Sequence, residues 1–414
     1  MIDALLERFD VSPAVAKAAR AAAQRVGGIE RPSVARVKAS VLRAFFDEGL
    51  GQSDLRESYG YGYDDVARER YESLLARILG AERVLARLSL VSGTHAIVTA
   101  LDACLPSGGR LVAATGRPYD TLRNAIADAP FSLVERGIRY DEVSLADDGE
   151  VDLAAVRRGC AAADVVFVQR SRGYALRHAL SSATCGAIAC AAKEAAPNAT
   201  VIVDNCYGEL VEEREPTHCG VDVVAGSLIK NLGGGLAPGG AYVAGRADVV
   251  ARVAARHYAP GLDAQIGPTF GFGRAFVQGL FGAPHAVAES LAGLDFVAAL
   301  FENLGYAVDP VPGAPRYDIV QAIRLGSPEK LVAFARGLQR GMPVDARFRP
   351  EPGPVPGYRD PVVMSSGAFI SGSTLELSCD APLRPPFEAY VQGGTMREHA
   401  MLGALLAAEA IGGS

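Results

Sequence analysis

In the stretch AGSLIKNLGGGLAPGGA, residues 225–241, Lys230 stands three positions after Ser227 and five glycines follow it within ten positions. A lysine just beyond an apolar run is a candidate nucleophile toward a carbonyl, able to form a Schiff base. Three further features weaken the plainer reading of a surface lysine beside a turn. Asp204 closes the apolar run TVIVDN, 26 residues before Lys230, and a carboxylate at the end of a central parallel strand faces the crevice where open α/β sheets bind ligands. Ser92, Gly93 and Thr94 join the apolar run LSLV to the amphipathic stretch HAIVTAL. A strand, a turn of small residues and a helix start aim free N–H groups and the helix dipole at one point, which suits a phosphate. Tyr119, in GRPYDTL after the next apolar run, offers a ring face for stacking on a planar ligand. Taken singly these are an Asx turn, a helix cap and a half-buried tyrosine. Taken together they are the needs of pyridoxal 5′-phosphate: a lysine for the imine, a carboxylate to keep the pyridine nitrogen protonated, a phosphate cradle and a stacking ring. The glycines around Lys230 are expected to let the backbone approach that cofactor.

The elements that must position these residues are legible in outline. Leu5, Leu6, Phe9 and then Val34, Val37, Val41, Leu42 and Phe45 recur at helical spacing, predicting helices over residues 1–50. VARERYESLLARILG predicts another, closed by Gly80. RLVAAT, DVVFVQ, TVIVDN, VDVVAGS and GAYVAG alternate with helical stretches, the pattern of strands buried on both faces of a mainly parallel α/β sheet. After about residue 285 come helices, strand-like pieces and the Pro-rich loop RPEPGPVPGYRDP. The expected organisation is an N-terminal helical segment (1–56), a large α/β domain (57–285) and a smaller α+β C-terminal domain (286–414).

Composition narrows the function classes. A net charge of −6, from 41 basic and 47 acidic residues with no basic block, argues against nucleic acid or an anionic membrane as partner. No apolar run approaches the ~20 residues of a membrane-spanning helix. The N-terminus lacks the apolar core of a signal peptide. Seven cysteines at irregular spacing, without a CxxC pair, read as reduced thiols in a cytoplasmic protein. The six histidines show no HxxxH or HExxH spacing, so no metal site is expected.

The segments GYGYDD, SGTHAI, PYDTL, QRSRGY, VDNCYGE, GSLIKN with its following GGG, APH, RPP and YVQGG together resemble the aluminium resistance protein / methionine gamma-lyase family. These are fold-type-I pyridoxal-phosphate proteins related to the lyases of cysteine and methionine metabolism, and the resemblance runs from about residue 55 to residue 395. It implies the pyridoxal-phosphate transferase-like fold in the large domain. It also implies that Lys230 carries the cofactor and moves the substrate's α-proton, that Asp204 partners the pyridine nitrogen and that Tyr119 stacks on the ring. Ser92, Gly93, Thr94 and Ser227 match phosphate contacts. Tyr61 and Tyr63 match a tyrosine segment that reaches a neighbouring subunit's site, which implies a homodimer or homotetramer. Arg384, in APLRPPF, is the candidate for the substrate carboxylate, with Arg172 in QRSRGY as an alternative contact.

The chain departs from the family pattern at several places. It has Val66-Ala67-Arg68 after GYGYDD, Arg177-His178-Ala179 after RSRGY, and Leu232 after SLIKN. His257, Tyr258, Asp263 and Gln265, and the SSGAFISG segment with Ser366, Ala368 and Ser371, also differ. These positions are expected to bear on the substrate and to leave the cofactor machinery intact. The expected activity is β- or γ-elimination from an amino acid bearing a thiol, halide or oxygen leaving group. An aminotransferase, a racemase or a γ-replacement enzyme on the same fold is the alternative, and a cofactor-binding protein without turnover stands behind both.

Overall fold

A computed structural model describes residues 1–146 and 149–412; the last two positions of the expected C-terminal domain, 413 and 414, lie outside the described residues. The runs RLVAAT, DVVFVQ, TVIVDN, VDVVAGS and GAYVAG are strands. β1 (Arg83–Arg87), β2 (Arg110–Ala113), β3 (Arg139–Glu142), β4 (Val165–Gln169), β5 (Thr200–Asp204), β6 (Val223–Ser227) and β7 (Ala241–Gly245) form one sheet in the order β1-β7-β6-β5-β4-β2-β3. Every residue of β4, β5, β6 and β7 is buried, which is why those runs are continuously apolar with no alternation. The sheet is parallel from β6 through β3, and β7 is antiparallel to both of its neighbours. β1 therefore runs in the direction of β4, β5 and β6, and all four end on the same edge.

Two elements differ from the sequence-based expectation. The apolar run Leu88–Val91 is turn; the strand before the small-residue turn is the more polar RVLAR of β1, which the apolar run masks. The helix expected from His285 begins at Gly273 and runs 31 residues to Asn303, through Pro284. It thus crosses the position expected to divide the large and small domains.

A second sheet, β10-β11-β12-β9-β8, is antiparallel throughout and is built from β8 (Ala307–Asp309), β9 (Val320–Arg324), β10 (Val362–Ser366), β11 (Ser378–Pro382) and β12 (Glu388–Gln392). With the helices Pro328–Gln339 and Arg397–Gly412 it makes the α+β part of the chain. The helix Gly273–Asn303 ties the parts together. The N-terminal helices Pro13–Val26 and Pro32–Glu48 pack on it, as do Arg397–Gly412 and the turn after Lys230. Its Asp295 sits between Arg31 (2.6 Å) and the fully buried Arg316 (3.0 Å). Among the described residues, no helix is long and apolar enough to cross a membrane.

Candidate functional site

The shared edge of β1, β4, β5 and β6 opens onto a cavity of about 490 Å3, and the residues singled out in the sequence gather there. Ser92, Gly93, Thr94, Tyr119, Asp204, Ser227 and Lys230 all line it. Asp204 is the last residue of β5 and Ser227 the last of β6. Each strand end delivers one polar side chain into the crevice, as the topology of open α/β sheets requires. The turn after β1 brings the N-terminus of the helix Gly93–Cys104 to the same place. Ser92 caps that helix, its side chain accepting from the N–H of His95. Gly93 is pressed against the sheet: a Cβ there would lie 3.2 Å from the Cys206 sulfur and 3.3 Å from the Ser227 nitrogen. The Thr94 and Tyr119 hydroxyls are hydrogen-bonded at 3.0 Å. Tyr119 is held further by its N–H donating to the Gln169 side chain at 3.0 Å.

The electrostatics follow from burial. Asp204 is 5 % exposed and makes no ion pair among the described residues. The Cys206 N–H donates to it at 3.0 Å. Burial raises its pKa, opposed by the charge of Lys230 and by the Cys206 N–H. Lys230 is half-buried, and burial disfavours its charged form. Cys206, Tyr207 and Asp204 outweigh that and push its pKa above the ordinary lysine value. Burial likewise drives the Tyr119 phenol well above its ordinary value, with Asp204 adding to the shift. A buried carboxylate without a cation, facing a cavity it shares with a lysine, a tyrosine and a helix N-terminus, fits a ligand that offers a ring N–H and a phosphate. The residues present therefore fit pyridoxal phosphate.

Four of the candidates lie outside this lining. Arg172 is buried and turned toward Asp309, to which it is ion-paired, on a separate cavity of about 520 Å3. Arg384 donates to the Tyr174 carbonyl at 3.2 Å and to Asp360 at 3.3 Å, so it stands behind the cavity wall that Tyr174 forms. Tyr61 and Tyr63 are exposed, 73% and 56%, with ring centroids 5.9 Å apart. Of the positions that depart from the family pattern, Ser371 lines the cavity. His257 and Tyr258 instead bond Ser89, at 2.8 and 3.1 Å.

The glycines near Lys230 also meet protein closely. A Cβ on Gly233 would collide with the Leu228 carbonyl, and one on Gly234 with the Gly279 carbonyl of the long helix. Gly239 and Gly240 do line the cavity, but a Cβ on Gly240 would strike the Arg87 carbonyl. These glycines mainly let the Lys230 loop lie flush against protein.

Sequence reasoning assigned no role to Tyr174, Cys206, Tyr207 or Tyr358, all of which line the cavity. Cys206 and Tyr207 were within reach, because they follow Asp204 in the turn after β5. Tyr358 comes from the Pro-rich loop, and nothing in its local pattern points to the site.

The chain matches the family model described as methionine gamma-lyase over residues 12–412. An uncharacterized Bacillus subtilis protein is 40% identical over 364 residues, 87% of this chain and 86% of that one. A solved structure described as a carbon-sulfur lyase involved in aluminum resistance from Clostridium novyi is 36% identical. It aligns with a TM-score of 0.92 over 98% of each chain. A pyridoxal-5′-phosphate dependent protein from Escherichia coli is 18% identical with a TM-score of 0.60, covering 91% of this chain and 96% of that one, and shares the fold.

Proposed function

The chain belongs to the methionine gamma-lyase family, and from that premise we propose that it is a pyridoxal-phosphate-dependent lyase eliminating a β- or γ-substituent, foremost a thiol, from an amino acid. The observation that carries this reading is the gathering of Lys230, Asp204, Tyr119, Ser92, Gly93, Thr94 and Ser227 around one cavity. Lys230 would hold the cofactor through its amine, Asp204 at the pyridine nitrogen and Tyr119 against the ring. The helix N-terminus with Ser227 would hold the phosphate. When bound, the cofactor supplies an electron sink for the carbanion formed at the substrate's Cα.

The chain's own residues do the rest. Lys230 Nζ takes the Cα proton, and the buried Asp204 stays anionic by facing a positive partner. The Tyr174, Tyr207 and Tyr358 rings line the cavity and would give a thioether favourable sulfur–aromatic contacts. Arg384 would take the substrate carboxylate on leaving Asp360 and the Tyr174 carbonyl, a side-chain movement from behind the wall into the cavity. In a β-elimination the Cα–H and C–S bonds break, and the thiol leaves. Water then converts the remaining unsaturated amine to a 2-oxo acid and ammonia. A γ-elimination adds a proton removal at Cβ, for which Lys230 or Tyr63 is available. The exposed Tyr61 and Tyr63 support a homodimer or homotetramer in which this segment completes a neighbouring site. Seven free cysteines favour a reducing, cytoplasmic setting.

The test is a panel of cystathionine, methionine, cysteine and their halide and O-acyl analogues, assayed without an amine acceptor. The lyase reading expects the leaving group (thiol or hydrogen sulfide from the sulfur substrates, halide or carboxylate from the analogues), ammonia and 2-oxo acid in equal amounts. A 2-oxo acid formed only when an acceptor is added, without ammonia, would contradict it and favour an aminotransferase.

A further inference from the structure

Tyr207 is the third residue past Asp204, in the turn that leaves β5, and its backbone is in the left-handed region at φ 72°. A bulky side chain there is uncommon and persists only where surrounding structure imposes it. Two hydrogen bonds to its carbonyl do so. The side chain of Asn231, next to Lys230 in sequence, donates at 3.0 Å, and the N–H of Ile319, at the start of the second sheet, donates at 3.2 Å. Asn231 also donates to the Glu209 carbonyl at 2.8 Å. The strained turn and the lysine loop are thus tied together. The result places the ring under the amine: Lys230 Nζ lies 3.6 Å from the Tyr207 ring centroid. Tyr207 is also packed against the buried cluster of Val320, Ala322 and Tyr390 in the second sheet.

We propose that Tyr207 is a positioning residue for Lys230, its ring face being the seat on which the protonated amine rests whenever that amine is free. A desolvated ammonium over an aromatic face is held electrostatically, so the ring both localises Nζ and favours its charged form. The other groups that act on the amine are Asp204 at the end of β5, Cys206 and Glu209 in the turn after it, Asp380 of β11 and Tyr358 of the Pro-rich loop. The Tyr207 phenol also hydrogen-bonds the amine, so a Phe variant is needed to separate its share from that of the ring face. The inference stands on the Lys230–Tyr207 geometry. It rests on the lyase reading only for its consequence in turnover, where the seat would keep the amine beside the Cα it deprotonated.

The test is competitive acetylation of the cofactor-free full-length protein across a pH series, with Lys230 labelling read by peptide mass spectrometry. Tyr207→Phe keeps the ring and should label within about twofold of wild type. Tyr207→Asn removes the ring while suiting the left-handed backbone. It should label about tenfold faster near pH ~8, as an apparent pKa lower by about one unit requires. Tyr207→Leu serves as a second ringless variant, and thermal unfolding checks that each is folded. Wild-type labelling in both ringless variants would overturn the proposal. So would a Phe variant that behaves like the Asn one, because the phenol would then be the agent. The readout is independent of turnover, so a failed substrate panel leaves the ring seat standing.

Discussion

Single residues at this site are set by burial more than by contact. Asp204 makes no ion pair among the described residues, and Lys230 and Arg177 offset only part of the cost of its burial. Asp204→Asn should therefore fold normally yet lower kcat/KM by on the order of 100-fold, as loss of a preorganised charge does; steady-state kinetics on any substrate found by the panel would check it. Arg384→Lys should act mainly on KM, raising it about tenfold, because lysine cannot replace a bidentate contact. Glu209 makes a different prediction. It is fully buried, bonded by the Tyr242 hydroxyl at 2.9 Å, and burial raises its pKa from 4.5 to about 8. Between those two values the native state keeps a proton that the unfolded chain has released. Folding then takes up a proton, and stability falls as pH rises through that window. Glu209→Gln removes the titration, so its melting temperature relative to wild type should climb from about pH 5 to pH 8. A constant difference would contradict this.

Elements explain why the reactive residues were readable and why others were not. Asp204 and Ser227 each sit where an apolar run stops, and buried parallel strands make that boundary visible one strand at a time; the Ser92–Thr94 turn was found through an apolar run that is itself turn. Lys230 was visible for the same reason as Ser227. The purpose of its glycines was not, because the residue that Gly234 meets, Gly279 of the helix Gly273–Asn303, is 45 residues away in sequence. Gly234, at φ 55°, is the clearest case: a side chain would be strained and would collide with the Gly279 carbonyl. Gly234→Ala should cost about 1–3 kcal/mol, the range for overpacking, and should loosen the Lys230 loop; denaturant unfolding would measure the first effect. Tyr358 was hidden by the same kind of distance, whereas Tyr174, five residues past the end of β4 in QRSRGY, was within reach as Cys206 and Tyr207 were. Loops reach the cavity through tertiary packing, and no local periodicity records it. The turn at Leu88–Val91 was misread because apolar content outweighed the charged ends of β1.

At the scale of the whole molecule, the long helix carries the N-terminal helices on one side and the lysine loop on the other. Asp295 anchors it between Arg31 and Arg316. Asp295→Ala leaves Arg316 buried without its counter-charge and should cost about 3–5 kcal/mol, seen as a lower unfolding midpoint. The central claim concerns the cavity that this frame holds open, and one measurement addresses it most directly. The purified protein is incubated with pyridoxal phosphate, its visible spectrum taken, and the sample reduced with borohydride and mapped by peptide mass spectrometry beside Lys230→Ala. The account predicts a yellow imine band that borohydride bleaches, with a single pyridoxyl adduct on Lys230 and none in the variant. A protein that stays colourless, or an adduct on another lysine while Lys230 is unmodified, would contradict it.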